Sequence, residues 1–215
     1  MIADPGSINW AELTGELSSG VRPETRSKYF PKNPLRQALL NRFLDRTAKI
    51  LSTFAWQSLL DVGCGEGFVD YYLDKRFPGR AITGADPDPV ALEVARKINP
   101  SHDFIAADGR DLPFPDHSFD AVICNEVLEH LPDYRSVMEE VRRVSRGPCL
   151  FSVPAWPFYQ AANFTIGKNW SRLGEHPDHV VQFSGKKLKK ELESVFNGPA
   201  VVSFSFPWLI GLSGV

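Results

Sequence analysis

Cysteine is scarce in this sequence. Cys64, Cys124 and Cys149 are the only three, an odd count, and no two of them form a Cys-x-x-Cys pair. Neither a disulfide framework nor a zinc ribbon is therefore expected, and three thiols set within apolar runs read as buried thiols of a reducing cytosol. A basic excess is lacking as well: 24 Lys and Arg stand against 26 Asp and Glu, a formal net charge of −2. That balance leaves no electrostatic footprint for nucleic acid, although it does not by itself exclude an RNA substrate. No apolar run approaches the length of a membrane span. The opening MIADPGSINWAEL holds no basic stretch followed by an apolar one, so no signal peptide and a cytoplasmic location are expected. Internal repeats and low-complexity tracts are missing too. What remains is a chain of 215 residues, 43% hydrophobic and 23% charged, long enough for one well-cored domain with a small appendage.

The first thirty or so residues are polar and carry no strong period. NPLRQALLNRFLDRTAKIL then predicts a helix, with Asn33 as N-cap, Pro34 at the first helical position and an apolar stripe through Leu35, Leu39, Phe43 and Ile50. From Trp56 the pattern becomes strand–helix alternation. WQSLLDV, RAITGA, HDFIAA, FDAVICN and PCLFSV read as five strands. The intervening helices carry Phe68, Val69, Tyr72 and Leu73, then Val90, Leu92, Val94 and Ala95, and later Val137, Met138, Val141 and Val144. Such alternation predicts a parallel sheet covered on both faces, with ligands beyond the carboxyl ends of its strands. After Val153 the rhythm breaks into an aromatic stretch from Pro154 to Phe183 holding Trp156, Phe158, Tyr159, Phe164 and Trp170. A connection of that length reads as a lid or binding loop, and its aromatics argue against disorder. A last helix capped by Ser184 and two strands joined near Pro207 complete the chain.

The stretch LLDVGCGEGF places Gly63, Gly65 and Gly67 at alternate positions behind Asp61. Glycine in a buried element costs about 0.5–1 kcal/mol relative to alanine, so three ask for a local cause. A nucleotide-triphosphate loop needs a lysine after its last glycine, and Phe68 and Val69 stand there instead. A dinucleotide fingerprint wants Gly-x-Gly-x-x-Gly, but its third place falls on Phe68 in one register and on Asp70 in the other.

The pattern Asp61-x-Gly63-x-Gly65-x-Gly67 resembles motif I of the class I S-adenosylmethionine-dependent methyltransferases, whose glycines let the backbone approach the ligand. Asp86, in ITGADPDPVALEVAR, matches the family's acid that accepts hydrogen bonds from a ribose diol, while Asp88 reads better as a helix N-cap than as a second ligand. Asp108, in AADGRDLPFPDHSFD, matches the acid that accepts from the adenine amino group, with Pro113, Pro115 and Phe119 as structural residues. NEVLEH lies after the fourth strand, where Asn125 and Glu126 would meet the methionine end or the reacting methyl. The resemblance extends the cofactor contacts to Cys64, Pro87 and Gly109. It covers about residues 56 to 153, and FDAVICNEVLEHLPDYRSVMEEVRRV is most similar to small-molecule members such as the quinone-biosynthesis C-methyltransferases. No Asn/Asp-Pro-Pro-Tyr motif follows the fourth strand, which disfavours nucleobase N-methylation.

The resemblance implies an α/β fold: a Rossmann-like, seven-stranded, mostly parallel sheet with helices on both faces and an antiparallel last strand. Residues 1–52 are then a helical N-terminal extension or cap, and 53–215 the methyltransferase core with the aromatic lid inserted at about 154–183. The expected cofactor is S-adenosylmethionine, with S-adenosylhomocysteine as product, and the expected partner a small-molecule acceptor, aromatic, prenylated or lipid-linked. An oxygen or carbon acceptor needs a base near the methyl. His130 is the first candidate, against the plainer reading of a hydrogen-bonded histidine that closes a helix. His176 and His179, in GEHPDHV with Glu175 and Asp178, form the other constellation; no third strong ligand is evident at useful spacing, so no metal is expected, and the pair, His179 above all, reads either as a group that orients an acceptor or serves as base or as a pair that stabilises the loop. Tyr29 and Arg26 are candidates to reach the acceptor from the N-terminal side. KKLKK at 186–190 reads as the solvated face of a helix. Two alternatives stand beside this reading: an NAD-dependent oxidoreductase, and a non-catalytic S-adenosylmethionine-binding regulatory module.

Overall fold

The structure, a computed structural model, describes residues 33–165 and 176–214 together with Val21 and Tyr29. Local chemistry starts each long helix. Asn33 Oδ1 accepts from the Leu35 backbone N–H at 2.9 Å and Pro34 opens α1 (Pro34–Leu51). Asp88 Oδ1 does the same for Val90 at 2.9 Å ahead of Pro89 in α3 (Pro89–Ile98). Asp88 is thus an N-cap, the role its sequence context favoured. Between them, α2 (Phe68–Arg76) begins directly at Gly67 with no side-chain cap. Among the described residues the other helices of the core are α4 (Tyr134–Val144), α5 (Phe158–Thr165), which lies inside the aromatic stretch, and α6 (Gly185–Phe196). Ser184 Oγ caps α6 by accepting from Lys187 N at 3.2 Å.

Seven strands, β1 (Ser58–Val62), β2 (Ala81–Asp86), β3 (Asp103–Ala106), β4 (Ala121–Asn125), β5 (Cys149–Pro154), β6 (Val201–Ser205) and β7 (Trp208–Ser213), form one sheet in the order β3-β2-β1-β4-β5-β7-β6. The pairs from β3 through β5 are parallel; β7 runs antiparallel to both β5 and β6. β1 and β4 both start two residues later than the sequence pattern predicts; Phe119, before β4, pairs instead with the backbone of Val144 and Arg146, and at β1 a side chain is the cause. The backbone N–H groups of Gln57 and Ser58 go to Asp120 Oδ2, at 2.8 and 2.9 Å, and Arg146 Nε holds Asp120 Oδ1 at 2.7 Å. A side chain has taken the hydrogen bonds that a longer ladder would need.

Alternate strand residues feed two hydrophobic clusters. Leu60, Val62, Val122, Cys124, Phe151 and Val153 join α4 and α6, whereas Leu59, Ile123, Leu150 and Ile210 join α1 and α2. α1 therefore shares its buried residues Leu40, Phe43, Leu44, Ala48 and Leu51 with the central strands. Each fully buried leucine of this kind contributes roughly 1.5–3 kcal/mol by leaving water. The chain runs outward from β1 through β2 to β3 on one side and from β4 to β5 on the other. The carboxyl ends of β1 and β4 consequently flank a topological switch point, where open parallel sheets take their ligands. Among the described residues no helix is long and apolar enough to cross a membrane.

Candidate active site

Beyond β1 the chain turns through Gly63, Gly65 and Gly67, all in the left-handed region at φ +78, +53 and +73. At two of these positions the fold itself demands glycine. A Cβ on Gly63 would stand 2.2 Å from Val127 Cγ2, and one on Gly67 would meet Asn99 Nδ2 at 2.7 Å and Ala95 Cβ at 3.0 Å. The loop hangs from β2: the N–H groups of Gly63 and Cys64 donate to Ala85 O at 2.7 and 3.2 Å. Gly65 N donates to Asp86 Oδ2 at 2.8 Å, while Asp86 Oδ1 accepts from Asp88 N at 2.9 Å. The carboxylate at the end of β2 is thus oriented by the loop, and each oxygen keeps acceptor capacity for a diol.

A cavity of about 620 Å³, its open mouth included, lies at the switch point, lined by Tyr29, Asp61, Gly63, Glu66, Asn125 and Glu126 among others. Its volume suits a small-molecule cofactor. Asn125 Nδ2, at the end of β4, is buried there with no hydrogen-bond partner, a donor directed at something the protein does not supply. Glu126 follows at φ +60, an uncommon backbone state for a non-glycine residue, held by its N–H donating to Ser152 O at 2.9 Å. Asp61 and Glu66 are almost wholly buried, and Asp70 behind them is fully so. Burial pushes the Asp70 carboxyl up to about 7. An acidic lining favours a cation such as a sulfonium carrying an ammonium group and disfavours a pyrophosphate. Phe68, where a dinucleotide fingerprint would have its last glycine, is buried in the core. Both features tell against the nicotinamide alternative.

The other residues singled out in the sequence fall in different places. Cys64 lines the cavity and packs in a cluster with Leu92, Ala95 and Phe104; burial and the nearby Asp70, Asp61 and Asp86 hold its thiol far above the usual range, so it is inert. Cys124 and Cys149 are likewise free and buried. Asp108 is half-exposed, and Arg110 grips both its oxygens, Nε to Oδ1 at 2.9 Å and a terminal nitrogen to Oδ2 at 2.5 Å; this pair draws the carboxyl down to about 2. Gly109 serves packing, since a Cβ there would lie 3.1 Å from Val62 Cγ1. Pro87 is exposed. Tyr29 is buried, stacked on Phe68 at 4.8 Å between centroids, and so lies on the side of the glycine loop. Arg26, Trp170 and Glu175, and the side chain of Phe164, lie outside the described residues.

The histidines converge. A 3-10 turn, Leu128–His130, follows β4, and the segment before α6 is fastened to it: Val180 N and Val181 N donate to Glu129 O at 2.9 and 3.0 Å. His130 Nδ1 donates to Asp178 O at 3.1 Å. The rings of His130 and His179 are 5.1 Å apart, those of His176 and His179 5.0 Å, and Tyr159 lies 5.5 Å from His179. Glu129 is buried directly beneath. Sequence reasoning passed over Glu129, although its place beside His130 and three residues after Glu126 was a visible signal. It also passed over Glu66, which the loop carries into the cavity.

Residues 60–151 match the family described as a methyltransferase domain. A demethylmenaquinone methyltransferase of Thermotoga maritima is 34% identical over 115 residues, which cover 49% of this chain and 50% of the relative. A malonyl-[acyl-carrier protein] O-methyltransferase of Serratia marcescens is 32% identical over 135 residues, covering 61% of this chain and 50% of that one. The chain spans about half the length of these curated relatives. Among solved structures, the plantazolicin methyltransferase in complex with S-adenosylhomocysteine superposes with a TM-score of 0.66 at 15% identity, over 94% of this chain and 98% of that one, a likeness of fold. An unpartnered donor, an oriented acid and an acidic cavity at the switch point fit the donor this fold serves. Residues 60–151 are thus a methyltransferase domain, of the class I S-adenosylmethionine-dependent kind.

Proposed function

We propose that this protein transfers a methyl group from S-adenosylmethionine to a small apolar acceptor, aromatic, prenylated or lipid-linked. The observation that carries the reading is the cradle at the switch point, where Gly65 orients the Asp86 carboxylate beside a cavity lined with acids and the free amide of Asn125. Asp86 would take the ribose diol, Asn125 and Glu126 the methionine end, and Asp108 the adenine once Arg110 shares it. The cofactor supplies an activated methyl on a sulfonium. The chain's part is to align the acceptor, exclude water and remove a proton from an oxygen or carbon nucleophile. His130 and His179, when no cation holds them, would be the candidate bases for that proton.

An apolar acceptor is supported by Trp156 and Phe158, exposed at 45% and 54% just past β5, in the stretch 154–183 that would roof the acceptor. It is supported also by relatives named for demethylmenaquinone and for phthiotriol/phenolphthiotriol dimycocerosates. Calorimetric titration with S-adenosylhomocysteine, with NAD as control, tests the first half of the proposal. Micromolar binding of the former alone is expected. Asp86→Ala should weaken it by about 2 kcal/mol, roughly 30-fold, the cost of a charge-assisted contact. Binding of NAD, or an Asp86→Ala variant that binds normally, would sink the assignment. Binding without turnover on any quinol or phenol would favour a regulatory module.

A further inference from the structure

We propose that Glu129, His130 and His179 form a binding site for a divalent transition-metal cation, beside the cofactor cavity. One donor atom from each lies within 4.8 Å of the other two. Metal–ligand distances are about 2.0–2.2 Å for imidazole nitrogen and carboxylate oxygen, so a closure of roughly 1 Å brings all three onto one ion. Two imidazoles and a carboxylate are the donor set of zinc, iron(II), cobalt(II) or manganese(II) rather than of calcium.

Three further features support the site. The donors come from residues 129–130 and 179, and three backbone acceptor contacts join those segments: Val180 N and Val181 N to Glu129 O, and His130 Nδ1 to Asp178 O. A carbonyl oxygen can only accept, so His130 carries its proton on Nδ1 and presents the Nε2 lone pair, the arrangement in which metal-bound histidines are commonly held. Glu129 is 1% exposed, and a carboxylate shielded from water attracts a cation more strongly. His176, although its ring lies 5.0 Å from that of His179, is not among the three donors: its Nδ1 accepts from Asp178 N at 3.3 Å, which occupies that lone pair.

Three protein ligands leave coordination positions open, and a cleft lined by Glu129, Trp156, Tyr159 and His179 adjoins them. Those positions suit a ligand with oxygen donors, such as adjacent hydroxyl or carbonyl groups on an acceptor. Only that use rests on the methyl-transfer reading; the cation site does not.

The test uses the metal alone, without cofactor or acceptor. The full chain, stripped with chelator, is titrated with cobalt(II) by visible absorption and with zinc(II) by calorimetry. One ion per chain with micromolar affinity is expected. His130→Ala and His179→Ala should each weaken binding by at least about tenfold, and His176→Ala should leave it unchanged. Glu129→Gln, isosteric at a buried position, should weaken it similarly, with circular dichroism and Tm showing that the variant is folded. Binding no tighter than millimolar, or equal losses in His176→Ala and His179→Ala, would overturn the site. Parallel titration with S-adenosylhomocysteine separates failure of this site from failure of the methyltransferase assignment.

Discussion

The two halves of the site are built by different means. On the cofactor side, the loop after β1 and the acid after β2 sit at adjacent strand ends, and 2.7–3.2 Å hydrogen bonds from the loop to Ala85 O and Asp86 bind them together. On the other side, where the proposed acceptor would enter, the 3-10 turn after β4 meets a segment some fifty residues further on, through Glu129 O, Asp178 O and the bridge between Ala155 and Phe183. The first half is specified by backbone conformation within short turns. The second depends on contacts between segments some fifty residues apart, most of them backbone to backbone. Each half should therefore fail separately, in a different assay.

The largest effect is expected where the later of those segments is anchored. Phe183 is 1% exposed, edge-on to Tyr134 at 5.1 Å, with the Lys187 ammonium 4.7 Å from its ring. Phe183→Ala should lower stability by about 3–5 kcal/mol in urea unfolding. At temperatures where the variant stays folded, S-adenosylhomocysteine should still bind within about threefold of wild type while metal affinity and methyl transfer fall. Equal loss of cofactor and metal binding would show that the halves are one unit.

Next comes Gly63→Ala, which sets a Cβ against Val127 in a left-handed backbone. Its cost should be about 2–4 kcal/mol. Gly79→Ala is the control: its φ of +82 is similar, but nothing lies within 4 Å of the added carbon. The difference between the two variants measures how tightly the turn bearing Glu126 and Glu129 is packed on the glycine loop. Equal costs would break the claim that Val127 locks it.

The smallest effect concerns Asp70, buried behind the loop with its carboxyl raised to about 7. Because the folded state keeps a proton that the unfolded chain has released, stability should fall as pH rises from about 4 to about 7 and level off above. Asp70→Asn removes that slope. The variant should match wild type below about pH 4 and exceed it by on the order of 1–2 kcal/mol at pH 8, read from urea unfolding at each pH. Parallel pH profiles would show that Asp70 is not the group responsible.

Much of the first half was legible because its causes are local. Asn33-Pro34, Asp88-Pro89 and Ser184 cap helices with bonds that reach two or three residues, and all three caps stand in the structure. Asp61, the glycines and Asp86 could be read likewise, since they occupy consecutive strand ends of a parallel sheet. Less could be read where a contact crosses the chain. Arg110 takes the Asp108 carboxylate, Gly109 yields to Val62, and Tyr29 turns to Phe68 on the cofactor side. None of these follows from spacing, because each depends on which neighbour arrives.

The histidines mark the boundary most clearly. His176 and His179 were a pair by spacing and their rings do lie 5.0 Å apart, yet the donor atoms that gather with His179 are those of His130 and Glu129, while His176 Nδ1 accepts from the Asp178 backbone. The amino-acid sequence by itself determined the alternation of strand and helix, the switch point and the glycine turn beside it, because hydrophobic period and left-handed glycine conformations act over a few residues. Only the tertiary structure decided which imidazoles stand near a buried carboxylate. That choice is made by hydrogen bonds between residues 129–130 and 178–181, and such bonds exist only once the sheet has brought the two segments side by side.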